Sequence, residues 1–223
     1  RVIRALLHPE HAGKRWTQRH LAEHFGKMHP PIPRPSLGLV NKVVRHLRDE
    51  AFIEELPQGG FRVRDPLKLL SAWRDAYRFD RHGRRDYFTL LQGNALRDAL
   101  AGFAVRVGGF AVYAAFSAAD FQAPHVRQPK TWLYVRDEDL SLFEELLQAK
   151  PVSSGASLML LIPADDGVFY LGDGAAVGGK RMACTCEVQT YVDLWHCGGR
   201  GREAAEAILD QRLKPAWEAQ KLK

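Results

Sequence analysis

The run CGGRGREAAEAILDQRL, from Cys197 to Leu213, sets three glycines and Arg200 directly before a helix-like stretch. Free helix amides and a guanidinium there suit an anion. A P-loop, however, ends in a Lys-Ser or Lys-Thr pair, and here Gly201 is followed by Arg202 and Glu203. A dinucleotide loop follows a strand, whereas VQTYVDLW before this run reads as helix. The pattern fits a tight helix-to-helix turn whose glycines take positive φ. Asp137 and Asp139 have the D-x-D spacing of nucleotidyltransferase metal sites. No glycine-serine motif stands just upstream, and either carboxylate would cap the next helix, which is the preferred reading. Cys184, Cys186, His196 and Cys197 are metal-ligand types, but C-x-C and an adjacent His-Cys pair differ from the usual C-x-x-C and H-x3–5-H spacings. Free buried thiols are expected instead. No GxSxG elbow occurs. These residues predict no catalytic group, no metal and no cofactor.

The elements that would carry function lie elsewhere, and charge locates them. The net charge of +6 is confined to the start of the chain: residues 1–64 hold 12 Lys and Arg against 6 Asp and Glu, and residues 65–223 hold 20 against 20. Six of the nine histidines also fall in residues 1–64. A basic module joined to a neutral one points to a polyanionic partner. Apolar residues make up 46% of the chain, enough for a substantial core, yet no run approaches the ~18 needed to cross a membrane. The start shows no signal-peptide pattern and begins with Arg, as a processed or truncated chain would. Three cysteines do not make a disulfide framework, so a cytoplasmic location is expected.

Within the basic module, VIRALL (2–7) reads as a short helix. Thr17 is an N-cap for a second helix with Leu21, Ala22 and Phe25 on one face, and Gly26 is expected to end it in a left-handed conformation. KMHPPIPRP follows, with four prolines that forbid a helix interior. Ser36 then caps SLGLVNKVVRHLRDEA, in which Val40, Val43, Val44 and Leu47 face a core and Gly38, Asn41, Lys42, Arg45 and Arg48 face outward. FIEEL, PQGG and FRVRD read as strand, glycine turn and strand, with Arg62 and Arg64 alternating against Phe61 and Val63. Helices followed by a hairpin make residues 1–64 a winged helix-turn-helix, although the link between its two key helices is longer than usual. On double-stranded DNA, Asn41, Lys42 and Arg45 would reach base edges or nearby phosphates. Arg34, Ser36 and Arg48 would hold the backbone, and Arg62 and Arg64 would act from the wing.

DPLKLLSAWRDAYRFD (65–80) reads as a linking helix started by Asp65 and Pro66, and RHGRRD (81–86) as a charged connection. Residues 87–223 read as mixed α and β. YFTLLQGNALRDALAG is expected as helix, FAVRV (103–107) as strand, GGFAVYAAFSAADF as helix, TWLYVRD as strand and EDLSLFEELLQA as helix. SLMLLIP and GVFYLGD suggest a hairpin, ACTCEV a short strand or extended segment, and QTYVDLWH and REAAEAILDQRLKPAW the last helices. The fold class is therefore α+β: a winged helix-turn-helix over 1–64, a connection over 65–86 and a mixed α/β unit over 87–223.

The run EVQTYVDLWHCGGRGREAAEAILDQ (187–211) resembles the signature of AbiEi-type antitoxins of type IV toxin–antitoxin systems. Val188, Gln189, Tyr191, Asp193, Leu194, Gly198, Gly199, Arg200, Gly201, Glu203, Ala204 and Ala205 match it, and GGFAVYAAF and TWLYV fall in the same order more loosely. The resemblance implies a repressor that binds repeats upstream of its own operon through the winged helix. It also implies a C-terminal part that counters a nucleotidyltransferase-like toxin without a stable complex. A monomer or a homodimer is compatible with this. One rival is an enzyme using Asp137 and Asp139 for nucleotidyl transfer, and another is a winged helix that contacts protein.

Overall fold

The computed structural model describes residues 1–27, 30–171 and 182–219. Helix α1 spans Val2–Leu7. α2 spans Gln18–His24 and is capped by Thr17, whose Oγ1 accepts from the His20 amide at 3.1 Å. α3 spans Leu37–Asp49 and is capped by Ser36, whose Oγ accepts from the Leu39 amide at 3.2 Å. Strands β1 (Ile53–Glu55) and β2 (Phe61–Val63) pair antiparallel around Gly59 and Gly60, both at positive φ. Trp16 adds an antiparallel bridge to Phe61, a third wing strand of a single residue that sequence periodicity could not reveal. α4 spans Pro66–Ala76 behind the expected Asp65 cap.

Gly26 does not act as a left-handed stop. α2 ends at His24, Phe25–Lys27 form a 3-10 turn, and Gly26 is not among the positive-φ glycines. Its missing side chain instead makes room for the Arg34 guanidinium, into which a Cβ would project. The proline-rich link runs without regular structure from Pro30 to Pro35, while Met28 and His29 lie outside the described residues.

The C-terminal part is built on β3 (Gly83–Phe88), β4 (Ala111–Tyr113), β5 (Thr131–Val135), β6 (Lys150–Pro151) and β7 (Leu158–Ile162), ordered β4-β5-β7-β3-β6. β5 and β7 are parallel, and the remaining pairs are antiparallel. α5 (Gly93–Arg106), α6 (Ala115–Gln122), α7 (Leu140–Leu146), α8 (Glu187–His196) and α9 (Gly201–Ile208) surround the sheet. A π-helical turn at Leu209–Leu213 carries α9 into α10 (Lys214–Ala219). The architecture is α+β, with helices leading and a mixed sheet in the C-terminal part.

Several local readings change. YFTLLQ is not helical, since Tyr87 and Phe88 end β3 and α5 begins only at Gly93. RHGRRD is not a connection, because most of it belongs to β3, held between β7 and β6. Its charged residues disguise a strand: Arg84 lies over the Trp132 ring at 5.9 Å, and Asp86 meets Lys130 at 3.9 Å. FAVRV is not a strand but the end of α5, closed where Gly108 and Gly109 take positive φ and the Gly109 amide reaches the Ala104 carbonyl at 2.8 Å. The glycine pair therefore stops one helix, and the strand is the AVY that follows. GVFYLGD forms no hairpin with β7, because β5 and β3 already occupy both of its edges. Asp166–Phe169 is a 3-10 turn capped by Asp165, and Gly172 and Asp173 lie outside the described residues.

One sheet face, with Trp132, Tyr134, Met159 and Leu161, joins the larger apolar core; the other, with Leu133, Val135, Leu158 and Leu160, packs under α5 and α7. The larger core runs without a break from Leu7, Phe25 and Val44 to Tyr170, Tyr191 and Trp217. The Trp217 indole donates to the Leu7 carbonyl at 3.1 Å, so the last helix fastens the first. No helix among the described residues is long and apolar enough to cross a membrane.

Candidate nucleic-acid interface

Burying Val40, Val44 and Leu47 fixes which side of α3 meets solvent. Asn41, Lys42 and Arg45 are all exposed on that side. Gln18 at the start of α2 donates to Asn41 Oδ1 at 3.4 Å, which sets the two helices side by side beneath that surface. Among the described residues Lys42, Arg45 and Arg64 take no ion pair, so their charge remains available to an anion. Two other predicted cations are already partnered. Arg48 Nε donates to Glu55 at 2.7 Å, and Arg62 pairs with Glu54, the residue directly across the wing. Arg34 is exposed and folds back toward Gly26. Ser36 uses its hydroxyl on the helix cap. The wing thus carries acids that hold its own Arg62 and Arg48 of α3, a feature that a one-dimensional charge count does not show.

The motif residues of α8 do different work. Gln189 and Asp193 are wholly buried. Asp193 Oδ1 accepts from Gln189 Nε2 at 2.7 Å, from the Tyr77 hydroxyl at 2.9 Å and from the Tyr134 hydroxyl at 3.1 Å. Gln189 Nε2 also donates to the Tyr77 hydroxyl at 2.7 Å, and Gln189 Oε1 accepts from Arg4 of α1. His82 joins Tyr77 through Nε2 at 2.8 Å and accepts the Ala164 amide on Nδ1 at 3.1 Å. The network therefore ties α1, the end of α4, the sheet and α8 together. Asp193 Oδ2 is buried with no hydrogen-bond partner among the described residues. Burial pushes the Asp193 carboxyl up to about 7, against the opposing pull of its Tyr77, Gln189 and Tyr134 donors and the Arg4 charge. Burial and the Arg4 charge hold the His82 imidazole down at about 4, in keeping with an Nδ1 already committed to accepting an amide.

The glycine run is a turn between α8 and α9. Gly198 and Gly199 have φ of 77° and 53°, and a Cβ on Gly201 would drive into the Leu194 carbonyl oxygen. Arg200 and Glu203 pair with each other, and His125 meets Glu203 at 3.1 Å. Asp137 and Asp139 occupy a 3-10 turn before α7, and neither side chain makes a capping hydrogen bond, so the expected cap is replaced by a backbone turn. Cys184, Cys186 and Cys197 are not disulfide-bonded, Cys186 is buried, and His196 Nε2 sits 2.9 Å from the Arg74 carbonyl oxygen. Among the described residues no three His, Cys, Asp or Glu side chains converge as a metal site.

A family model described as transcriptional regulator, AbiEi antitoxin, type IV TA system, matches residues 62–214. The matched stretch begins within β2, beyond α3, and takes in the whole five-stranded sheet, Gln189 and Asp193 with their partners Tyr77, His82 and Tyr134, and the glycine turn. No curated protein and no solved structure matches the chain.

Proposed function

Because the chain belongs to the AbiEi antitoxin family of type IV toxin–antitoxin systems, we propose that it is a sequence-specific, double-stranded DNA-binding repressor that autoregulates its own operon. The observation that carries this is the outward side of α3, where Asn41, Lys42 and Arg45 are exposed beside the wing that bears Arg62 and Arg64. An amide and two cations there, with the unpaired Arg64 as the wing's available cation, suit adenine or guanine edges and the adjoining phosphates. Arg34, Ser36, Arg48, Arg62 and Arg64 form the backbone-facing rim, with Arg48 and Arg62 exchanging their wing carboxylates for phosphates on binding.

In this account residues 1–64 meet DNA, α4 and the residues after it up to His82 connect, and the part from β3 onward carries the antitoxin function against a nucleotidyltransferase-like toxin. The signature residues act as structure. Gln189 and Asp193 hold α8 to α1 and α4, while Gly198, Gly199, Arg200, Gly201 and Glu203 form the α8–α9 turn. The role is regulatory, exercised in the cytoplasm. Replacing both Lys42 and Arg45 with Ala removes exposed side chains without touching the core, so operator affinity is expected to fall to the non-specific level while the unfolding temperature is kept. Unchanged operator affinity in that variant would overturn the assignment of α3.

A further inference from the structure

A cleft of about 490 Å³ opens between the Lys14–Trp16 segment and α2, lined by Lys14, Arg15, Trp16, His20, Glu23, His24 and Lys27. Its size lies within the roughly 300–1,000 Å³ of small-ligand sites. His20, Glu23, His24 and Lys27 follow helical spacing. They lie roughly opposite Gln18 on the helix circumference, and Gln18 is the residue that meets Asn41. The cleft therefore faces away from the α3 surface.

Its charge is one-sided. Lys14, Arg15 and Lys27 are exposed and take no ion pair among the described residues. The single carboxylate, Glu23, is held by Arg19 at 3.2 Å. Two of the cations are held in position: the Lys14 ammonium sits 4.3 Å from the Trp16 ring centroid, and Arg15 donates to the Gln58 carbonyl at 2.8 Å. The floor is continuous with an aromatic cluster. His24 packs against Trp16 at 5.3 Å and His11 at 4.8 Å, and its Nε2 lies 2.8 Å from the Tyr170 hydroxyl. A group lodged here would bear on the contact between the wing-bearing part and the C-terminal part.

We propose that this cleft binds a phosphate-bearing anion, with Lys14, Arg15 and Lys27 as its cationic donors. The phosphate belongs either to a free phosphorylated metabolite of about mononucleotide size or to the backbone of DNA running past the wing. The inference does not depend on operator recognition, because its first test contains no DNA.

Isothermal titration calorimetry of the full chain with ADP and with pyrophosphate reads the free-anion source. Saturable binding of either probe is expected, weakened about tenfold or more in Lys14→Ala/Lys27→Ala, with the unfolding temperature unchanged. Arg97→Ala, a distant surface cation on α5, should bind as the unaltered chain does. If neither probe binds, the salt dependence of affinity for a long duplex reads the DNA source. Loss of one or two phosphate contacts lowers the slope of log K against log salt by about one to two in the double variant. Probe binding that the double variant leaves untouched overturns the proposal. So does an absence of probe binding together with an unchanged salt slope or no DNA binding.

Discussion

Replacing Asp193 with Asn should remove a specific part of the chain's pH dependence. The carboxyl rises from its ordinary 3.8 to about 7 in the folded chain because it is buried, and its Oδ2 finds no donor among the described residues. A group raised on folding contributes stability that is complete below its unfolded value and is lost as pH rises through its folded value. Between about pH 5 and about pH 7.5 this amounts to a loss of roughly 2–3 kcal/mol. Asparagine keeps an oxygen for Tyr77, Tyr134 and Gln189 and does not titrate, so it should lack this loss. His82, depressed to about 4, works in the opposite sense, with stability lost as pH falls below its unfolded value. It is present in both chains, so the difference between them cancels it. The assay is urea unfolding of the unaltered chain and Asp193→Asn at both pH values. Equal losses in the two chains would refute the claim that a buried, partly orphaned carboxylate governs this window.

Other outcomes follow from the same geometry. Glu54→Gln should free Arg62 and tighten binding to any duplex, steepening the slope of log K against log salt by up to about one, as measured by anisotropy titration. An unchanged slope would mean that Arg62 does not face DNA. Gly201→Ala places a methyl against the Leu194 carbonyl oxygen, so a loss of about 2–3 kcal/mol and a Tm lower by about 5 °C or more are expected in thermal denaturation. A Tm within a degree of the original would show that the α8–α9 turn is not a close approach.

The parts of the fold visible in the sequence are those governed locally. Thr17, Ser36 and Asp65 cap the helices they precede because an N-cap needs only a hydroxyl or carboxylate near free amides. The outward side of α3 follows from the spacing of Val40, Val44 and Leu47. What stayed hidden depends on partners far along the chain. β3 reads as a charged loop because pairing with β7 and β6 makes it a strand, and its own side chains do not. The Trp16–Phe61 bridge is too short to leave a period. The candidate surface was legible as side chains but not as charges, since nothing local marks Glu54 and Glu55 as partners of Arg62 and Arg48. The buried role of Gln189 and Asp193 was equally out of reach, because their partners Arg4, Tyr77 and Tyr134 come from elements distant in sequence.

The most direct test of the central claim is fluorescence anisotropy of the full chain on DNA from upstream of its own gene, against a scrambled duplex, across a salt series. An autoregulatory repressor should prefer its own sequence by ~10³-fold or more at physiological salt, with affinity falling steeply as salt rises. Equal affinity for both duplexes at every salt concentration would contradict it.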